Sequence, residues 1–206
     1  MSIVKLNNRG VRSVTAFGSF TSSGSLTFIK KLTASSSATL SFVNGSSDVV
    51  LDNTYKEYIF FFKHIHPATD SADLMINFSS DAGSNYNVTK TSTHFRAYHD
   101  EGGSATSLAY DSSNDMAQGT GNLNIILNIG NGNDECASGY LHLFNPSSTV
   151  HVKHFISNLN RYDGADYTVN QFTGGYANTT SAIDAVRFQM DTGNIDAGDI
   201  LLFGLN

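Results

Sequence analysis

The chain has no tryptophan and one cysteine among its 206 residues, and only 15% of those residues are charged. The single thiol, Cys136, excludes an internal disulfide. A charged fraction of 15% lies well below the roughly 25% of an average domain. Ser, Thr, Asn and Gly fill the surface instead, a composition common where a protein is held at high local concentration in an assembly. The formal charge sums to -6, and no basic stripe is present. A nucleic-acid partner is therefore not expected, since it requires clustered cations to displace counterions from phosphate. The pair Lys30-Lys31 stands inside an apolar stretch and is too small for that task. No run of about 18 apolar residues occurs, so no membrane partner is expected. The opening MSIVKLNNRG holds no apolar core of a signal peptide. The expectation is synthesis and folding in a cytoplasm.

Catalytic signatures are missing as well. No G-x-S-x-G nucleophile turn and no phosphate-cradling glycine loop follows any apolar stretch. Cys136 stands in Glu135-Cys136-Ala137 beside a turn, without a cysteine-protease signature. Glu57, Glu101 and Glu135 are the only glutamates, which lowers the prospects for paired-carboxylate glycoside hydrolysis, although aspartates also serve that chemistry. An enzyme is not expected, and no cofactor is. Without tryptophan, any sugar platform rests on tyrosine faces, and Tyr98, Tyr110, Tyr162 and Tyr176 are the surface-binding candidates, although a place in the core is the favoured reading for them.

What the chain does hold is apolar bulk. Hydrophobic residues make up 40%, with 14 Phe and 9 Tyr. They concentrate in residues 55–83, YKEYIFFFKHIHPATDSADLMINFSSDAG. Tyr58, Ile59, Phe60, Phe61 and Phe62 suit a pleated surface better than a helix, where such side chains lose χ1 freedom. Phe60 and Phe62 share one face and Phe61 takes the other. After the polar corner at residues 67–71, Leu74, Ile76 and Phe78 alternate with Met75 and Asn77, the mark of a half-buried strand.

The rest of the chain repeats this pattern in short pieces. Residues 26–33 (LTFIKKLT) and 38–44 (ATLSFVN) predict a hairpin joined at Ser35-Ser36-Ser37, and a turn at residues 45–48 leads into Val49-Val50-Leu51. Further strands are predicted at residues 94–99, 122–129, 140–144, 151–159, 168–176, 182–190 and 199–205. In residues 94–99, Phe95, Ala97 and His99 alternate with Arg96 and Tyr98. A Gly174-Gly175 break interrupts residues 168–176, and residues 100–122 predict a long polar passage of the kind that is functional or disordered. About ten short strands without a helix give an all-β, two-sheet β-sandwich of the jelly-roll type. Residues 25–206 form that domain. Residues 1–24 stand apart as an arm, with Ile3, Val4, Leu6, Val11, Val14, Ala16 and Phe17 ahead of a Ser/Gly joint at 19–25. The arm covers an edge of its own domain or docks on another subunit.

His64 and His66 are the metal candidates, because residues two apart on a strand share a face. The plainer reading is a strand end with two polar side chains. His94, His99, His142, His151 and His154 are scattered, without a carboxylate at ligand spacing, and read as half-buried strand residues. Asp70, Asp73, Asp81, Asp111 and Asp115 are loop carboxylates, but no calcium-loop run is present. The nearest, residues 131–135 (NGNDE), is explained by turn chemistry.

The stretches SIVKLNNRGVRSVTAFGS, LTFIKKLTASSSATLSFVNG and FQMDTGNIDAGDILLFGL, together with residues 55–83, resemble virion structural proteins of marine tailed phages, of the cyanophage and pelagiphage kind. The resemblance implies a jelly-roll sandwich displayed on the particle, as a capsid decoration or part of a tail fibre. It implies other virion proteins and further copies of the chain as partners, with a host surface glycan as a further one. The motifs record a fold and its corners, so no catalytic residue transfers. A stand-alone carbohydrate-binding module is the alternative.

Overall fold

The computed structural model describes residues 26–205, so the arm at 1–24 and its joint at 19–25 lie outside the described residues. Within them are thirteen strands and no helix. They are β1 (Leu26–Thr33), β2 (Leu40–Val43), β3 (Glu57–Pro67), β4 (Ala72–Ser79), β5 (Lys90–Asp100), β6 (Thr106–Tyr110) and β7 (Met116–Gly119). The others are β8 (Leu123–Ile129), β9 (Ala137–Phe144), β10 (Lys153–Asp163), β11 (Tyr167–Ala177), β12 (Ala185–Met190) and β13 (Ile195–Leu205). They form two antiparallel sheets. The wide one has nine strands in the order β1-β13-β3-β9-β10-β11-β5-β6, with β7 also on β5. The narrow one has four, β2-β12-β4-β8. The chain is an all-β sandwich.

Alternation inside residues 55–83 builds the core as the residue pattern predicts. Tyr58, Phe60 and Phe62 of β3 are buried, while Ile59 and Phe61 are half-buried on the opposite face. Leu74, Ile76 and Phe78 of β4 are fully buried. The corner at residues 67–71 carries the chain from one sheet to the other, so the two runs face each other across the core. Phe42 meets Phe60 edge-on at 5.3 Å, and Phe188 lies 5.4 Å from Phe60 and 5.2 Å from Phe62. Phe78 meets Phe155 at 5.4 Å. Such tilted and edge-to-face pairs suit the ring quadrupole.

Several expectations are corrected. Residues 26–33 and 38–44 do not form a hairpin. β1 pairs with β13 in the wide sheet and β2 with β12 in the narrow one, so the serine corner is a crossover between layers. Ser37 is tied there by a bridge to Ile195. Val49 and Leu51 are buried without forming a strand. Gly174-Gly175 does not break β11, whose pairing with β10 and β5 runs straight through. Gly175 is there because a Cβ would collide with the Thr91 carbonyl and the Phe155 ring. The polar passage at 100–122 is only partly loop. β6 and β7 within it both pair with the free edge of β5 and cap it.

Strand β5 also turns the apolar pattern outward. Lys90, Ser92 and His94 are buried, while Phe95 is 38% exposed. The reason is coverage. β8 is the last strand of the narrow sheet and packs on β10 and β11, and β5 lies one strand further out. What covers its inner face is polar chain. The Lys90 ammonium donates to Asn77 Oδ1 at 2.7 Å and to the Val88 carbonyl at 2.8 Å. Ser92 Oγ accepts from the Met116 amide at 3.1 Å. His94 sits between Gln171 Nε2 at 3.0 Å and Thr173 Oγ1 at 3.2 Å. Gln171 Oε1 accepts from the Leu127 amide at 2.7 Å and from Arg161 Nη1 at 3.0 Å. Buried polar groups left without such partners cost about 1–3 kcal/mol each.

Two predictions follow from this packing. Phe60→Ala and Phe62→Ala should each destabilise by roughly 3–5 kcal/mol, the range for emptying a buried aromatic site. Phe61→Ala, on the outer face, should cost much less. Chemical denaturation of the three variants checks this, and equal losses would mean that β3 is covered on both faces. Burial lowers Lys90 from 10.5 to about 8. A folded-state pKa below the unfolded one means that the unfolded chain binds the extra proton between those values. Stability should therefore rise with pH from about 8 to 10.5. In Lys90→Met that part of the rise should vanish, which denaturation midpoints of both proteins across the window would reveal.

Candidate functional site

The wide sheet has one face on the core, and its other face carries rows of mostly apolar side chains. Register places Leu201, Phe61, Tyr140, Asn158, Phe172, Phe95 and Tyr110 side by side on β13, β3, β9, β10, β11, β5 and β6. The neighbouring row runs Phe28, Phe203, Ile59, His142, Ile156 and Gly174. Phe95 and Phe172 stack 4.9 Å apart at an interplanar angle of 9°. Phe28 and Phe61 each meet Phe203 edge-on at 5.4 and 5.5 Å. Ile156 is 50% exposed, Tyr110 55% and Leu108 74%.

Charge is distributed unevenly over this face. Lys31, Lys63, Asp199 and Glu57 lie toward β1, β13 and β3, where Lys31 Nζ is 3.4 Å from Asp199 Oδ1. His142 Nε2 is 2.8 Å from Glu57 Oε2, and its ring lies on Phe144 with centroids 4.1 Å apart. From β9 to β6 the outward positions, which include Tyr140, Ile156, Phe172, Phe95 and Leu108, hold no Asp, Glu, Lys or Arg. The outward side chains there are aromatic, aliphatic, amide, hydroxyl or imidazole.

The four candidate tyrosines separate across the two faces. Tyr110 and Tyr176 project on the outer face, with Tyr176 edge-on to His154 at 6.0 Å. The Tyr110 hydroxyl donates to Asp115. Tyr162 stands at the end of the same face, and its hydroxyl donates to Asp166 Oδ1 at 2.8 Å, which pushes it up to about 12. Tyr98 points the other way. It lines an inner cleft at the open end of the sandwich, edge-on to Tyr167 at 5.5 Å. That cleft, about 280 Å³, is lined also by Arg96, Asn128, Arg161 and Asp163. None of these four stood out in the sequence, because nothing in their spacing brings them together.

His64 and His66 do not form a simple same-face pair. The β3 register shifts between Phe62 and Ile65, and His64 adopts φ +50°. Both imidazoles still line one cavity of about 550 Å³, with Glu135, Cys136 and Asp196. His66 Nε2 is 3.1 Å from the Gly132 carbonyl and its Nδ1 is 3.9 Å from Asp196 Oδ2. Glu135 folds back onto the Gly132 amide, and burial pushes the Cys136 thiol up, away from the reactive thiolate. Among the described residues, no three His, Cys, Asp or Glu side chains converge at metal-binding distance.

The remaining candidates are held in local structure. Asp81 accepts from Ser79 and Asn85, and Asp111 from Ser113 and Asn114, so both stabilise turns. Asp73 accepts from the Asn128 amide at 2.7 Å and from Asn124 at 3.2 Å, and burial raises it. The scattered histidines are not uniformly half-buried. His94 is fully buried, and burial keeps its pKa below the ordinary value. His99, His151 and His154 are exposed, and His151 lies outside any strand. No family model, curated protein or solved structure matches the chain.

Proposed function

We propose that this chain is a non-enzymatic structural protein of a tailed-phage particle, displayed on the surface as a capsid decoration or tail-fibre component. It assembles with a second copy of itself through the outer face of the wide sheet. The observation that carries this reading is the uncharged aromatic surface from β9 to β6, on a chain with net charge -6. Two copies can meet there without like-charge repulsion, because the acidic excess lies elsewhere. The five strands from β9 to β6, about 4.8 Å apart and the longest roughly 35 Å, give a face on the order of 800 Å². A standard interface needs about 800 Å² per partner. Closed two-fold pairing is the usual way for one patch to serve both subunits.

Topology supports the particle role. The pairs β1–β13, β2–β12, β3–β9 and β4–β8 are nested, as in one long antiparallel hairpin folded over itself. Such nesting supports a jelly-roll reading, with β5–β7 and β10–β11 as additions that widen one sheet. This nesting supports the jelly-roll sandwich that the resemblance to virion proteins implies. Contact with other virion proteins and with a host glycan belongs to the same reading. The parallel rings of Phe95 and Phe172 favour the second reading, a stand-alone carbohydrate-binding module.

Light scattering over a concentration series should show an oligomer of the full chain. Phe95→Ser combined with Ile156→Ser should yield a monomer whose melting temperature stays close to the parent, since both side chains point outward. A parent that stays monomeric at high concentration, with and without residues 1–24, overturns self-assembly. Fitting the fold into an electron-microscopy map of the intact particle tests the location, and its absence from the particle overturns the virion role.

A further inference from the structure

The structure assigns the inner cleft at Arg96 and Arg161 as a binding site for a small carboxylate-bearing ring, the acidic residue of a saccharide. Arg161 carries the argument. Its side chain is 3% exposed, yet its guanidinium is held in a fixed orientation by two partners. Nη1 donates to Gln171 Oε1 at 3.0 Å and Nη2 to Asp163 Oδ2 at 3.1 Å. The third nitrogen, Nε, is buried and has no partner among the described residues. With Nε closed off from solvent, Arg161 offers the cleft a fixed, buried positive charge, whose attraction for an anion is stronger there than in water.

Arg96 lines the same cleft and is in no hydrogen bond or ion pair with another described residue. Register explains how the two arginines come together. Arg161 pairs with Val169 and Val169 with Tyr98, while Arg96 pairs with Gln171 one row along the same inner face. The nearby acids are engaged. Asp163 takes Arg161 with one oxygen, and its other oxygen accepts from the Ala165 and Tyr167 amides. Asp73 acts on Arg161 through space, but its oxygens accept from Asn124 and Asn128. One acid compensates one arginine within the lining, and Arg96 remains as net positive charge.

The remaining walls select the shape of the ligand. Tyr98 and Tyr167 stand edge-on at 5.5 Å, beside Val169 and Ala165, and offer aromatic and aliphatic surface to a ring. Asn128 adds an amide to the lining. A volume of about 280 Å³ lies at the lower end of ligand pockets, near 300 Å³, which suits one sugar ring and excludes an extended chain. A guanidinium fork matches a carboxylate in two parallel bonds, a geometry that lysine would not supply.

This site is independent of assembly through the outer face, so either can fail alone. Titration of the full chain with glucuronate, glucose and inorganic phosphate, followed by amide NMR shifts, tests it. Glucuronate should saturate, shifting the Tyr98, Arg161 and Tyr167 amides, and glucose should not. Arg96→Gln should weaken glucuronate by about tenfold, the loss of one charged hydrogen-bond partner. Tyr98→Ala, which leaves both arginines, should weaken it less and preserve the salt dependence. Absence of saturable glucuronate binding, unchanged affinity in a folded Arg96→Gln protein, or phosphate binding as tightly as glucuronate would each overturn the assignment.

Discussion

Nine strands cannot be covered by four. Neighbouring strands lie about 4.8 Å apart, so the narrow sheet spans roughly 19 Å and the wide one about twice that. The apolar core therefore sits where the sheets overlap, around Phe42, Phe60, Phe62, Phe78, Phe155 and Phe188. Past β8 the inner face of the wide sheet must be closed by something other than a second sheet. Loop backbone and polar side chains close it, and the sequence of β5 reflects that with Lys90, Ser92, His94 and Arg96 on the inside.

A polar interior holds only when each group finds a partner. Gln171 is the centre of this one, because its amide joins β8 through Leu127, β10 through Arg161 and β5 through His94. Four elements are thereby tied together through one side chain. The same network fixes the Arg161 guanidinium before any ligand arrives. Binding there then forfeits little side-chain entropy, which is the usual obstacle to using a long flexible cation.

The two proposed surfaces use opposite faces of the same strands. Period-two alternation places Phe95 outward and Arg96 inward on β5, and Phe172 outward and Gln171 inward on β11. Assembly through the outer face leaves the cleft open at the end of the sandwich. On the two proposals together, a subunit held in a particle would keep its ligand site, and several copies would present several such sites at once.

Period-two alternation and turn chemistry are local, and they were legible in the residues alone. They give the all-β class, the buried face of β3 and β4, and the corners at Pro67 and Asn145. Composition likewise marks a chain short of charge. Which residues meet across strands is a long-range property. The serine corner at 35–37 reads as a hairpin turn because nothing local distinguishes a turn within a sheet from a crossover between sheets. The alternation of Phe95 with Arg96 is visible in sequence, but its direction is not, because it depends on how far the other sheet extends. Arg96, Arg161 and Asp163 come from two strands whose common neighbour is β11, and Asn128 comes from the opposite sheet. Only the tertiary structure gathers them, since the register of one strand against the next is set by the whole sheet and by no segment within it.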